Sequence, residues 1–486
     1  MNPSKFLFFL FLAAPFILGY LIICALATLK PQIGIVLLMS AIIALWCLYD
    51  PVQPFLVTLF LLPFERMTAL FPPAKEGAVT FLSTLTIPKL MLVIIIVTWF
   101  MRAIIWKKTK LIMSLVATPL PLLVILSFVI SWLSIVKAHN YGYFLHYEIR
   151  IMNNIVFFFL LINLIEDSPT LQKALKVICL SYVFVAFIGL YETITQTHIL
   201  DFVGYPLPEE PFVEESERFR VAGPSGDPDY FGISMVFGFF TTLMAAFVFT
   251  KSRTMKLVLL LLSSVFLFSI FGTASRGIIL SLLAGIAVFW FYVKLRRKYL
   301  ITGLAMIVFL AVFAFYTATI SNLTLSRYTG EAGKSSLRYR MGWTKMGLRM
   351  GWENPLLGIG TANFIPEYNR YIDPMAPRTP RVGQNTYITI LAENGLLGLI
   401  VYLALYLISF SNFHWAMKHS RDPTMRIINL TLLSITVAFA VFAGTLNTWV
   451  VEIYWMVFAF SVICRKVDGF AKTTEGSPST YEDMTY

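Results

Sequence analysis

Paired cysteines, metal-ligand spacings and aspartate-rich runs are all missing from this sequence. Its four cysteines (Cys24, Cys47, Cys179, Cys464) fall within or at the end of apolar runs. None lies in a long polar stretch, so neither a disulfide framework nor a thiolate metal site is read from them. No acidic motif of the kind that holds magnesium stands out. Asp227 and Asp229 read first as turn formers, so no metal and no cofactor is expected. No internal repeat appears, inverted or parallel, which counts against a transporter built from duplicated halves. The first apolar run, Phe6 to Leu29, exceeds a usual signal h-region and has no small-residue cleavage site; it reads as a retained helix. Charge is also scarce, at 13% of residues.

What is abundant is apolar surface. The chain of 486 residues is 58% hydrophobic, with a mean hydropathy of +0.76. A soluble protein of this size has no interior large enough to hide that much. Apolar runs cover 6–28, 33–49, 54–64, 88–106, 115–136, 151–165, 175–195, 231–250, 257–272, 277–293, 300–320, 386–410, 427–446 and 449–464. Many approach the roughly 20 residues that cross a bilayer core. The fold class is therefore an all-α polytopic membrane protein. About 12–14 transmembrane helices are expected, with a large loop containing interfacial helices.

The net charge of +12 does not point to nucleic acid. The basic residues gather in short tracts between apolar runs: Lys107–Lys110, Lys251–Lys256, Lys294–Lys298, Lys418–Arg426 and Arg465–Lys466. Alternating through the spans places these tracts on one side, the cytoplasm, together with both termini. The polar tail from Thr473 to Tyr486 reads as a disordered end. Four stretches organise the chain: 1–230, 231–410, 411–465 and 466–486.

The opposite face collects the long loops: 137–150, with His139, His146 and Glu148; 196–230; and 321–385. The second is acidic at first and denied regular structure by Pro206, Pro208 and Pro211. It then turns basic at Arg218 and Arg220 and closes with turn residues, Gly223 to Tyr230, where a helix begins. That turn is either an anion receiver at a helix start or an ordinary cap. In the third, Ser335 to Trp352 reads as an amphipathic helix lying in the interface and capped by Ser335 or Ser336. Leu337, Met341 and Leu348 fall on one face, and Tyr339, Trp343 and Trp352 suit the headgroup layer.

Arg276 stands between two apolar runs, close to the hydrocarbon edge, where an ionised side chain is costly and takes a partner or snorkels to lipid phosphate. Arg220, Arg276, Arg338 and Arg340 all fall on the outer face. Arginine holds phosphate oxygens in pairs and stays charged at any relevant pH, so a diphosphate at the membrane surface is a natural target.

The residues also resemble a family. Thr273-Ala274-Ser275-Arg276-Gly277 is similar to the Ser-Arg-Gly turn of the O-antigen ligase and polymerase superfamily. Arg340-Met341-Gly342-Trp343, then Asn354 to Gly360 with Asn363-Phe364, resembles that family's long periplasmic loop. Gln384-Asn385-Thr386-Tyr387, with Glu393, Gly395 and Gly398, resembles its closing motif, and Arg220 to Gly232 matches in type. The resemblance covers about 215 to 400 and implies a bacterial inner-membrane glycosyltransferase working at the periplasmic face. Its donor would be an undecaprenyl-diphosphate-linked oligosaccharide and its acceptor a glycan. Membrane lipids and a chain-length regulator are further expected partners.

By that resemblance Arg276 and Arg340, or its neighbour Arg338, hold the donor diphosphate. Arg220, Asn385, Tyr387, Gly358 and Gly360 line the substrate, and Gln384 and Glu393 join the catalytic group. One departure matters. Ligases of this family typically carry histidine, thought to be the general base, where this chain has Gln384. Glutamine orients a hydroxyl but accepts no proton at neutral pH. Glu393, nine residues on, lies about 13 Å along a helix from Gln384. A polymerase of lipid-linked repeats is therefore favoured over a ligase. A flippase is the competing class, with Glu192 and Glu452 as its main acidic residues near or within apolar runs.

Overall fold

Apolar runs of this length can satisfy their backbone inside hydrocarbon by hydrogen-bonding along the helix, and helices are what they form. The computed structural model describes residues 31–69, 86–106, 118–202, 219–292 and 331–475. In chain order the helices are α1 (Pro31–Tyr49), α2 (Val52–Leu61), α3 (Ile87–Trp106), α4 (Leu120–Leu133), α5 (Tyr141–Leu164), α6 (Ser168–Thr195), α7 (Pro228–Val248), α8 (Arg253–Gly272), α9 (Arg276–Tyr292), α10 (Glu331–Glu353), α11 (Thr386–His419), α12 (Pro423–Ala443) and α13 (Glu452–Glu475). Among the described residues, seven segments are long and apolar enough to cross a membrane. Several expectations fall outside the described residues: the run 6–28, the tracts Lys107–Lys110 and Lys294–Lys298, the acidic part of the second loop, the run 300–320 and the last residues of the tail.

Helix starts follow cap chemistry. Asp167, Asp227, Ser252 and Asp422 each accept a hydrogen bond from a backbone N–H in the first turn that follows, which satisfies donors the helix itself leaves unpaired. Two helices are central: 78% of the apolar window of α7 and 72% of that of α12 is buried, against 28% for α8. Among the described residues α8 is covered on few sides, whereas α7 and α12 are packed on most. Phe237 on α7 meets Phe439 on α12, and Trp455 of α13 is completely buried against Trp449.

α11 is broken by Gly395, whose φ of 66° and ψ of −165° leave the helical region. A side chain there would sit 2.4 Å from the carbonyl of Leu356. The break frees the carbonyls of Ala392 and Glu393, which accept the N–H groups of Ile359 and Gly360 at 2.9 and 3.0 Å. The loop after α10 is thereby pinned to the first part of α11.

Three expectations change here. The expected loop 137–150 is mostly the start of α5, capped by Asn140, so His146 and Glu148 are helical and Glu148 is buried. α10 already runs from Glu331, so Ser335 and Ser336 lie inside it rather than at its cap. Its Trp343 is not in a headgroup layer: it is buried and donates its ring N–H to the Tyr368 hydroxyl at 3.1 Å. Leu337, Met341, Leu348 and Trp352 remain exposed, while Met346 and Met350 face inward. Among the described residues α10 is thus held on one side and open on the other. At the far end, α13 continues to Glu475, past the expected start of the tail.

Candidate functional site: an arginine cluster around one turn

α12 ends at Ala443, and the chain crosses to α13 through the turn 444–448. The turn is rigid because Thr445 closes back on Phe442 with both its backbone N–H (2.7 Å) and its hydroxyl (2.8 Å). Its outward carbonyls are then fixed acceptors, and other elements converge on them. Arg340 of α10 donates to the Thr445 carbonyl at 2.7 Å. The Thr386 hydroxyl, at the start of α11, donates to the Leu446 carbonyl at 2.7 Å. The Tyr230 hydroxyl, in the first turn of α7, donates to the Asn447 carbonyl at 2.9 Å. Gly277, second residue of α9, lies so close to Thr445 that a Cβ would be 2.5 Å from its hydroxyl. The turn therefore gathers the neighbours of Asp229, Arg276, Arg340 and Gln384 in one place.

Arg220 arrives by a separate route. Its Nε donates to the Thr273 carbonyl at 2.9 Å, and Val221 N–H donates to the Gly272 carbonyl at 3.1 Å. These bonds fasten it to the turn that precedes Arg276, where Ala274 holds a left-handed φ of 50°. Such a backbone persists where surrounding structure over-determines it. Beneath, Glu192 is fully buried and accepts three backbone N–H groups: Ile199 at 2.9 Å, Ala222 at 3.0 Å and Gly223 at 2.9 Å. Read as a possible path residue, Glu192 instead clamps the Arg220 segment.

Electrostatics report the convergence. The Arg340 guanidinium is pushed below its ordinary range, first by burial; Asp229 opposes this, while the positive charges of Arg276 and Arg220 add to it. Arginine starts so high that it stays charged. Asp229 forms an ion pair with Arg220 at 3.3 Å. Asp227 plays a different part: it caps α7 through the N–H groups of Asp229 and Tyr230, and burial followed by the Asp229 charge pushes its carboxyl up.

The remaining expected residues divide. Arg338 is exposed and points to the Pro374 carbonyl, away from the cluster, so of the two arginines on α10 it is Arg340 that joins Arg220 and Arg276. Gln384 is half-buried just before α11. Asn385, expected to line substrate, is the cap of α11 and accepts the Ile388 N–H at 3.2 Å. Tyr387 donates its hydroxyl to the Ala440 carbonyl at 2.7 Å. Gly358 and Gly360 are buried; a Cβ on either would stand 2.3 Å from the Glu393 carbonyl carbon or 2.7 Å from the Ala138 Cα. They pack chain against chain. Glu393 is buried under the same loop, where it accepts the Phe364 N–H at 3.2 Å. These placements make Asn385, Gly358, Gly360 and Glu393 builders of the site rather than its lining.

Two cavities lie among the described residues. An apolar groove of about 660 Å³ is lined by Phe60, Phe64, Met67, Phe184, Phe187 and Tyr191. Its rim, the turn Arg66–Thr68, packs against Gly223–Ser225 beside the Arg220 segment. A second cavity of about 10 Å³ is lined by Glu65, Lys89, Asn154 and Glu452, room for about one water. The turn 444–448 is what reading the sequence for motifs overlooks, and Asp229 and Tyr230 read there only as part of the turn that opens α7. The one local signal is Asn447-Thr448, polar residues in a short gap between apolar runs.

Fold and site define a multi-pass helical membrane protein with permanent cations gathered at one end of its bundle. A family model described as O-antigen ligase matches residues 257–403, a stretch that holds Arg276, Arg340 and Gln384 but neither Arg220 nor the turn 444–448. The chain is 26% identical over 298 residues to the O-antigen ligase of Salmonella typhimurium, covering 58% of this chain and 67% of that protein. It is 24% identical over 332 residues to the teichuronic acid biosynthesis protein TuaE of Bacillus subtilis, covering 65% of this chain and 64% of that protein. Over these stretches the chain is similar to the O-antigen ligase and polymerase superfamily, and the matches support an O-antigen ligase-type membrane enzyme.

Proposed function

We propose that the protein polymerises oligosaccharide repeats carried on undecaprenyl diphosphate, at the periplasmic face of the bacterial inner membrane. The observation that carries this reading is the convergence of Arg220, Arg276 and Arg340 around the turn 444–448. A diphosphate held there gains charge as the sugar leaves it, and preorganised cations lower the barrier most where that charge develops. Arg340 is already desolvated and oriented by Thr445, so little reorganisation is needed. The apolar groove beside the Arg220 segment suits the isoprenoid chain of such a donor; its size is that of ordinary ligand sites. Gln384, at the head of α11, orients the acceptor hydroxyl by hydrogen bonding without taking its proton.

The similarity to a protein named O-antigen ligase favours a second reading, transfer of a finished glycan to a different acceptor. The test is conversion of a defined undecaprenyl-diphosphate oligosaccharide by the purified protein, with and without a chelator. A ladder of products on the lipid supports polymerisation; transfer seen only when lipid A–core is added selects the ligase. Movement of the lipid across vesicles without bond formation would select a flippase and remove both.

A further inference from the structure

We propose that Asp229 accepts the proton of the attacking hydroxyl, the task that Gln384 cannot perform. This deepens the transfer reading above and rests on it. The carboxylates near the long loop are otherwise engaged. Glu393 is buried and bonded to the loop N–H of Phe364. Glu148 is buried and bonded to Ser131. Glu367 pairs with His139 at 2.6 Å and with Arg370. Glu353 accepts from Tyr371 at 2.8 Å and from Arg349 at 3.1 Å, and Asp373 accepts the Met375 N–H at 2.8 Å. Asp227 is the α7 cap.

Asp229 is placed differently. It is in the first turn of α7, one residue before Tyr230, which reaches the turn 444–448. One of its oxygens meets Arg220 at 3.3 Å, and its side chain keeps 16% of its surface accessible. Its charge is felt by Arg340, which also senses Arg276. The groups that face it are therefore Arg220 from the segment before α7, Arg276 from α9 by way of that shared field, and Arg340 from α10. Asp227 and Tyr230 flank it on its own turn, and Arg150 and Arg66 reach the same neighbourhood through Tyr230.

Surrounded by cations, a carboxylate is a weak base. A bound diphosphate would take over those guanidinium groups and leave the Asp229 oxygens to the acceptor hydroxyl. In the step itself the acceptor oxygen bonds to the anomeric carbon, and the bond from that carbon to the phosphate oxygen breaks. The electron pair leaves with the diphosphate, and the hydroxyl proton passes to the Asp229 carboxylate. The proton then goes to the departing phosphate or to water, restoring the carboxylate.

The test uses the purified full chain, a defined undecaprenyl-diphosphate oligosaccharide, and the variants Asp229→Asn and Asp229→Glu. Asparagine still offers Arg220 a carbonyl oxygen, so the segment keeps its anchor. The expected result for Asp229→Asn is a fall in kcat of about 10²–10⁴-fold with the donor KM little changed. The acid limb of the pH profile should vanish in Asp229→Asn and return with part of the activity in Asp229→Glu. A loss confined to donor KM, with the acid limb intact, would assign Asp229 a merely structural role. Full activity in Asp229→Asn overturns the proposal alone, whereas a wild type that binds the lipid and moves no sugar overturns the transfer reading as well.

Discussion

Replacing Arg340 by alanine removes one of the converging cations while leaving Arg338, two residues away, untouched. The two side chains leave α10 in different directions. Arg340 is half-buried and bonded to the Thr445 carbonyl at 2.7 Å, while Arg338 is exposed beside Pro374. Deleting one preorganised donor from a charge-stabilising site costs about 10²–10³ in kcat, and Arg340→Ala should fall by that factor. Folding should suffer less. The lost charge-assisted hydrogen bond is worth about 1.5–3 kcal/mol, but its removal relieves repulsion from Arg276 and Arg220, which already disfavours the charged form of Arg340. Arg340→Lys keeps the charge and loses the planar fork, so it should recover part of the activity. Arg338→Ala should stay within about threefold, since an exposed charge away from the cluster contributes little. The assay is turnover of lipid-linked oligosaccharide by purified variants, with thermal midpoints in detergent measured alongside. Equal losses in Arg338→Ala and Arg340→Ala would refute the placement on which the site is built, as would full activity in Arg340→Ala.

Two further outcomes are expected. Glu192→Ala strands the buried N–H groups of Ala222 and Gly223 and the part-buried one of Ile199; at about 1–3 kcal/mol for each buried group, the thermal midpoint should fall clearly and donor affinity should fall with it, whereas an unchanged midpoint would show that the clamp is not needed. Asp167→Ala should lower the stability of α6 by about 1 kcal/mol at neutral pH. The Thr170 contact holds the Asp167 carboxyl below its ordinary value. A depressed folded-state pKa stabilises above the unfolded value and the gain is lost as pH falls through the folded one. Wild type and variant should therefore converge in acid, and a gap that widens there would contradict the assignment.

Some of this was legible in the residues and some was not. The long apolar runs 231–250 and 427–446 became α7 and α12 within a few residues, and 386–410 opens α11 at its first residue but stops short of its end at His419, because length and hydropathy decide spanning helices locally. Arg276 was conspicuous because an ionised group beside hydrocarbon breaks the pattern on both sides of it. The loop 137–150 misled because a helix start carrying His146 and Glu148 has the composition of a loop, and what makes it helical is the Asn140 cap and packing in the bundle. Trp343 misled for a related reason: an indole suits a headgroup layer or a buried hydrogen bond equally well, and Tyr368, 25 residues away, makes the choice.

The chain by itself determined that it crosses a membrane many times, where most helices begin and end, and that permanent cations lie near one another in polar stretches. Those properties depend on a residue and its neighbours within a turn or two. Tertiary structure decided which arginines share a field, that Arg340 rather than Arg338 joins them, that Asp229 stands among them, and that Gly358 and Gly360 pack chain against chain. Those outcomes depend on carbonyls at residues 272–273, in the turn 444–448 or at residues 392–393, reached from elements dozens or hundreds of positions away. A backbone carbonyl looks the same at every position of a sequence, and its direction exists once the helices are packed.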